Sequence, residues 1–268
     1  MSPHAYTEDQ LVEQPALRLF AELGWQTVSA LDETLGPDGT LGRDTKGDVV
    51  LVKRLRAVLV RLNPGLPAEA IQAAIDELTR DRSAMSLAAA NREVYRLLKD
   101  GISVSVPDRQ SGRANGGQNT ERLRVVNWQQ PEQNDFLLVR QLTVVGSLYT
   151  CRPDLVGFVN GLPWVVIELK KPGVPVRAAF DDNLTHYKQQ IPQLFGYNAL
   201  LIASSGTESR VGSLTADWDR FFEWPRIERE DEPRRASLEV MLRGTCDRTR
   251  LLDLAENFTL FSEHKAGL

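Results

Sequence analysis

Within residues 152–172, Pro153-Asp154 is followed, after thirteen residues, by Glu168-Leu169-Lys170. The apolar run between them is broken only at Asn160-Gly161, a pair that accepts left-handed backbone and closes hairpins. Two strands are therefore predicted, with an acid opening the first and an acid and a lysine closing the second. Strand side chains alternate, so Glu168 and Lys170 share a face while Leu169 points away and leaves its carbonyl at the same edge. The return of the hairpin brings Asp154 back toward Glu168. Two carboxylates and a carbonyl are hard oxygen ligands of the kind Mg²⁺ takes at about 2.1 Å, with waters completing its shell. A cation held there would polarise a phosphodiester and acidify a bound water, and Lys170 would orient that water and offset charge developing on the phosphate. The plain alternative is a carboxylate–lysine ion pair, although closing an apolar strand with charge seldom adds stability.

Register decides whether the two acids can meet. A two-residue turn at Asn160-Gly161 sets Asp154 opposite Ile167, on the face away from Glu168. A three-residue loop with Gly161 as a left-handed bulge residue pairs Asp154 with Val166 and returns it to the face of Glu168. The chemistry thus predicts the bulged turn.

The surrounding pattern supplies the elements. A first helix is expected from the capping box Thr7-Glu8-Asp9-Gln10 to a stop at Gly24, either kinked at Pro15 or starting near it. Further helices are expected over 49–62, over 68–80 with Pro67 in the first turn, and over 87–98, opened by Ser83 and stopped at Gly101. Strands over 102–106 and 123–126 read as a hairpin around a loop containing Gly112, Gly116 and Gly117. They precede β-rich runs over 136–145, 153–168 (two strands) and 199–204. A helix over 178–190 places Asn183, His186, Tyr187 and Gln190 on one face, and 238–258 reads as helix. The charged stretch 225–233 is either a linker or a solvated surface. Trp164 reads as packing.

Composition excludes much. Apolar and charged fractions of 42% and 25% rule out collagen-like, disulfide-scaffold and disordered classes, and 268 residues suffice for one large α/β domain or two small ones. A net charge of -4 gives no bulk attraction to nucleic acid. Two cysteines and no secretory pattern fit a reducing cytoplasm, the longest apolar stretch is too short for a membrane span, and the histidines have no zinc spacing.

The Pro153-Asp154 and Glu168-Leu169-Lys170 pair resembles the PD-(D/E)xK nuclease motif. Around it, four phrases resemble the restriction (R) subunit of type I restriction-modification enzymes. They are Val159-Asn160-Gly161-Leu162-Pro163; Val166-Ile167-Glu168-Leu169-Lys170-Lys171-Pro172; Tyr187-Lys188-Gln189-Gln190-Ile191-Pro192 with Leu194-Phe195 and Tyr197-Asn198; and Arg210-Val211-Gly212-Ser213-Leu214. The resemblance covers about 8–258. It implies an α/β, restriction-endonuclease-like fold, a central mixed sheet flanked by helices, with a helical amino-terminal part and a carboxy-terminal helical extension. It implies a Mg²⁺-dependent endonuclease domain acting on double-stranded DNA, within a complex of methyltransferase and specificity subunits.

By this resemblance Asp154, Glu168 and Lys170 match the cleavage residues, and Glu13 in the first helix matches an acid that can complete the metal site formed with the Leu169 carbonyl. The family's pattern of glutamine, three residues and tyrosine falls on Asn183 and Tyr187, with an amide one methylene shorter. Gln193 and Tyr197 share the spacing, but Pro192 and Gly196 oppose a continuous helix there. Apart from the resemblance, Lys171 and Arg177 follow the second strand and read either as phosphate contacts or as solvated surface charges. The division expected is 1–230 for the nuclease and 231–268 for a linker and helical extension toward a translocase motor beyond Leu268. Without a GxxxxGK[ST] loop, ATP is expected to be used by that motor and not bound by this chain. Two rivals stand beside this reading, a non-catalytic docking module of the same complex and a stand-alone nuclease of the same fold.

Overall fold

The computed structural model describes residues 8–107 and 118–262; Thr7, the glycines at 112–117, His4 and His264 lie outside the described residues. A π-helical turn (Asp9–Glu13) runs into α1 (Gln14–Glu22), then β1 (Gln26–Ser29) and helices α2 (Val52–Leu62), α3 (Ala68–Thr79) and α4 (Leu87–Asp100). The hairpin β2 (Ile102–Pro107) and β3 (Gln118–Leu123) precedes β4 (Phe136–Arg140) and a short pair, β5 (Val144–Val145) and β6 (Thr150–Cys151). Next come β7 (Leu155–Val159), β8 (Leu162–Leu169), a second π-helical segment (Ala179–Leu184) continuing into α5 (Thr185–Gln190), β9 (Leu200–Ser204) and β10 (Ser209–Gly212). Helices α6 (Ser237–Thr245) and α7 (Arg248–Asn257) follow.

Six strands form one mixed sheet in the order β1-β4-β7-β8-β9-β10. β1 with β4 and β8 with β9 are parallel, and the other neighbours are antiparallel. Every residue of β7 and β8 is buried, so both faces of the central hairpin are covered. This is why these strands are continuously apolar instead of alternating. Trp25 packs edge-on against Phe20 and Phe136, and its indole N–H donates to the Cys246 carbonyl at 2.9 Å, which ties the end of α6 to the start of the chain. Trp164 is buried beside Trp128, as packing requires.

The helices with clear 3.6-residue spacing form close to their expected bounds. Gly101, at φ 77, ends α4 in a backbone region that glycine enters at no steric cost. The cap of α4 is Ser86, which accepts from the Ala89 amide; Ser83 instead turns to Asp81. Pro15 does not break the helix: α1 begins beside it, at Gln14, with the proline in its first turn. It follows a wide turn, which tolerates a residue unable to donate to the Leu11 carbonyl. The helix expected over 238–258 divides at Asp247, whose carboxylate caps Thr249 and Arg250. The run over 136–145 likewise divides, because Gln141 takes a left-handed backbone, φ 54.

The three-residue bulged turn does not form. Asn160 and Gly161 have φ 54 and 79, the two-residue turn suited to this pair, with Val159 opposite Leu162 and Phe158 opposite Pro163. Asn160 is locked by its side chain, which accepts from the Asp135 amide at 2.8 Å and donates to the Val125 carbonyl and to Asn134 at 2.9 Å. The register then shifts inside the strands, with Gly157 facing Val165, Val156 facing Val166 and Leu155 facing Ile167. Trp164 is the extra residue, a β-bulge beside Pro163, where a residue lacking an N–H is tolerated. A Cβ on Gly157 would meet Trp25 and Val165 at 3.2 Å, so glycine admits close packing at the shift. Continuing this register sets Asp154 opposite Glu168.

Candidate active site at the end of the central hairpin

Asp154 precedes β7 and Glu168 lies in the last turn of the pleat of β8. The Leu169 amide donates to Asp154 Oδ2 at 2.8 Å, so the Leu169 peptide lies beside the two acids. The Glu168 side chain is 4% exposed. Its Oε1 is 3.5 Å from both Lys170 Nζ and the Tyr187 hydroxyl, and its Oε2 is buried with no hydrogen-bond partner. The bulge at Trp164 is the local cause of this meeting: without it, β-alternation would send Asp154 to the far face.

The helix after β8 supplies the support. Lys170 Nζ donates to Asn183 Oδ1 at 2.8 Å, and Asn183 Nδ2 donates to the Tyr187 hydroxyl at 3.2 Å. Lys170, Asn183, Tyr187 and Glu168 thus close a ring of polar contacts, with Asn183 on the π-helical segment and Tyr187 on α5. The shorter amide reaches the lysine. His186 is exposed and bonds the Asp182 carbonyl, and Gln190 accepts from the Cys151 thiol, so these two of the expected face do not join the ring. Gln193 and Tyr197 turn elsewhere, to the carbonyls of Val145 and Leu78. Lys171 is exposed at the mouth of the site, while Arg177 pairs with Asp181 at 2.9 Å.

Glu13 arrives from the first helix but faces Arg140, whose Nε is 3.0 Å from Glu13 Oε1. Between it and Asp154 stands Gln141, whose Nε2 lies 3.1 Å from Glu13 Oε2 and 3.1 Å from Asp154 Oδ1. Glu8 is also drawn in, its carboxylate meeting the Lys171 amide and the charges of Asp154 and Lys170. Neither Gln141 nor Glu8 was singled out by spacing: Gln141 is uncharged at the end of a strand, and Glu8 reads as part of a capping box. Among the described residues, no three His, Cys, Asp or Glu side chains converge as a ready-made metal cage. Asp154, Glu168 and the Leu169 peptide are what the fold brings together, with Glu13 held one amide away.

Electrostatics follow from burial. Burial, and then the neighbouring Asp154 charge, hold the Glu168 carboxyl well above its ordinary range against the pull of Lys170. Burial also raises Asp154, opposed by the Leu169 amide and Gln141, and raises Glu13, opposed by Arg140. Tyr187 is pushed up by burial and the Glu168 charge, so its phenol stays protonated as a donor. Asp154, Glu168 and Glu13 are thus three neighbouring carboxyls raised together by burial.

The model of the type I restriction enzyme R protein N terminus matches residues 5–220. The chain belongs to this family. The HindI type I restriction enzyme endonuclease subunit of Haemophilus influenzae is 34% identical over 264 residues, covering 96% of this chain and 24% of that protein. The MjaIXP endonuclease subunit proposed for Methanocaldococcus jannaschii is 27% identical over 282 residues, covering 96% of this chain and 26% of that protein. This R protein N-terminal chain therefore spans about a quarter of the length of these curated relatives. No helix among its described residues is long and apolar enough to cross a membrane.

Proposed function

We propose that this R protein N-terminal region is a Mg²⁺-dependent endonuclease domain that hydrolyses phosphodiester bonds of double-stranded DNA. The observation that carries the reading is the buried Glu168 carboxylate, with one oxygen unpartnered, meeting Asp154 beside Lys170. An unpaired buried carboxylate oxygen is costly, and a hard divalent cation offsets that cost while suiting oxygen donors. The donor set fits Mg²⁺: Asp154, Glu168 and the Leu169 carbonyl would hold it, leaving places for water, with Glu13 able to enter on leaving Arg140. When bound, the cation would polarise the scissile phosphate and acidify water.

Lys170 does its part through its own geometry. Held by Asn183, its ammonium stands 3.5 Å from Glu168, from where it would orient an attacking water and offset charge gathering on the phosphate. Tyr187 donates toward Glu168 and fixes Asn183. Lys171, exposed beside the site, is assigned to a DNA phosphate. The mixed sheet is read as restriction-endonuclease-like. Residues 1–230 form the nuclease part, and 231–268 form an extension toward an ATP-driven motor, in a cytoplasmic complex with methyltransferase and specificity subunits.

The test is DNA cleavage by the assembled restriction complex carrying Lys170→Ala. Cleavage is expected to fall at least ~10²-fold while translocation continues. Undiminished cleavage would instead assign this region a docking role.

A further inference from the structure

Among the described residues, two that are not glycine have left-handed backbone, Asn160 and Gln141. Asparagine tolerates that region and Asn160 builds a turn, whereas glutamine has no such preference. The conformation of Gln141 has three consequences at one place. It ends β4, it lets the Gln141 amide donate to the Asp154 carbonyl at 2.7 Å, and it aims the side-chain amide between two acids, 3.1 Å from Asp154 Oδ1 and 3.1 Å from Glu13 Oε2. Both N–H bonds of one NH₂ group are thereby spent on carboxylates, and the orientation of the amide follows, since its oxygen would be repelled by either acid. Asp154 is then held from two sides, Oδ1 by Gln141 and Oδ2 by the Leu169 amide at 2.8 Å. Its remaining acceptor capacity is left for the region shared with Glu168.

We propose that Gln141 is a positioning residue for cation binding. Its amide fixes the Asp154 carboxylate in the ligating rotamer and holds Glu13 in reserve one amide away. The proposal rests on the metal-dependent reading of the Asp154/Glu168 pair. A residue kept in an unfavourable backbone region at a cluster of acids is the kind of strain that functional sites retain, and residues that orient metal ligands typically change affinity 10- to 100-fold when removed.

Backbone and side-chain roles separate cleanly here. Gln141→Gly keeps or improves the left-handed backbone and removes the amide, while Gln141→Asn keeps a tolerated backbone and an amide one methylene short. The measurement is Mn²⁺ binding by isothermal titration calorimetry to the 268-residue chain, with thermal melting of each variant and Asp154→Asn as the marker of this site. Both Gln141 variants are expected to fold in the absence of metal, the donor lost to Asp154 and Glu13 being offset in part by relief of the left-handed backbone. The Gly variant is expected to bind Mn²⁺ about 10- to 100-fold more weakly, and Asp154→Asn to lose the same binding event. If the Gly variant does not fold, the Asn variant carries the same expectation of weakened binding. Wild-type affinity in a folded Gln141 variant, with Asp154→Asn still losing the event, overturns the role of Gln141 alone. A wild-type chain that binds no Mn²⁺, or whose binding survives Asp154→Asn, overturns the proposal together with the metal reading beneath it.

Discussion

Lys170 and Glu168 show how neighbouring side chains set each other's chemistry. The lysine is drawn to Asn183 and the carboxylate, while the carboxylate is deprived of water on one oxygen. The fold therefore disfavours ionised Glu168, by burial first and by the Asp154 charge second. Its folded pKa lies above its unfolded one, so the wild-type chain loses stability as pH rises through the interval between them. Glu168→Gln carries no such loss. In EDTA, the melting temperature of the Gln variant relative to wild type is expected to be near zero difference in acid, to grow as pH rises past the ordinary carboxylate range, and to level off above the raised pKa. A Gln variant that melts below wild type at pH 8 would show the carboxylate to be stabilised as an anion. The charged residues of the candidate site were legible, since Asp154, Glu168 and Lys170 stand out as charges in an apolar run. Gln141 and Glu8 were not, because their roles depend on where remote segments land.

At the scale of elements, the hairpin shows what spacing can and cannot tell. Asn160-Gly161 marked the turn correctly, and the need for both acids on one face was sound, but the extra residue was sought in the loop. The side-chain bonds of Asn160 fix a two-residue turn, and the parity change moves to Trp164, where Pro163 cannot donate and Gly157 leaves room. Asn160→Ala would remove the acceptor of the Asp135 amide, the side-chain donor to the Val125 carbonyl and one of the bonds to Asn134 Oδ1, and would put at φ 54 a residue without asparagine's tolerance of that region. It is expected to cost on the order of 2–4 kcal/mol in urea unfolding. A loss below about 1 kcal/mol would mean that the turn does not set the register. Strands β1 and β10 escaped the sequence because each is four residues long, with no alternation to detect. The central strands and most helices were legible because burial on two faces or one stripe leaves a strong period.

For the whole molecule, the net charge of -4 bears on how DNA would reach the site. Without a strong positive field, the proposed attraction to phosphates would be local, at Lys171 and its surroundings, and delivery would fall to the rest of the proposed complex. The isolated chain is accordingly expected to bind double-stranded DNA no more tightly than about 1 µM at physiological salt, with a shallow salt dependence, as fluorescence anisotropy would show. Nanomolar binding would place DNA capture in this chain.

Cation binding between Asp154 and Glu168 can be seen in an anomalous difference map from crystals of the chain soaked in millimolar Mn²⁺. The expected result is a peak about 2.2 Å from carboxylate oxygens of Asp154 and Glu168 and from the Leu169 carbonyl. An ordered site in which these groups converge with no peak between them would show that Asp154 and Glu168 do not hold a metal in this chain.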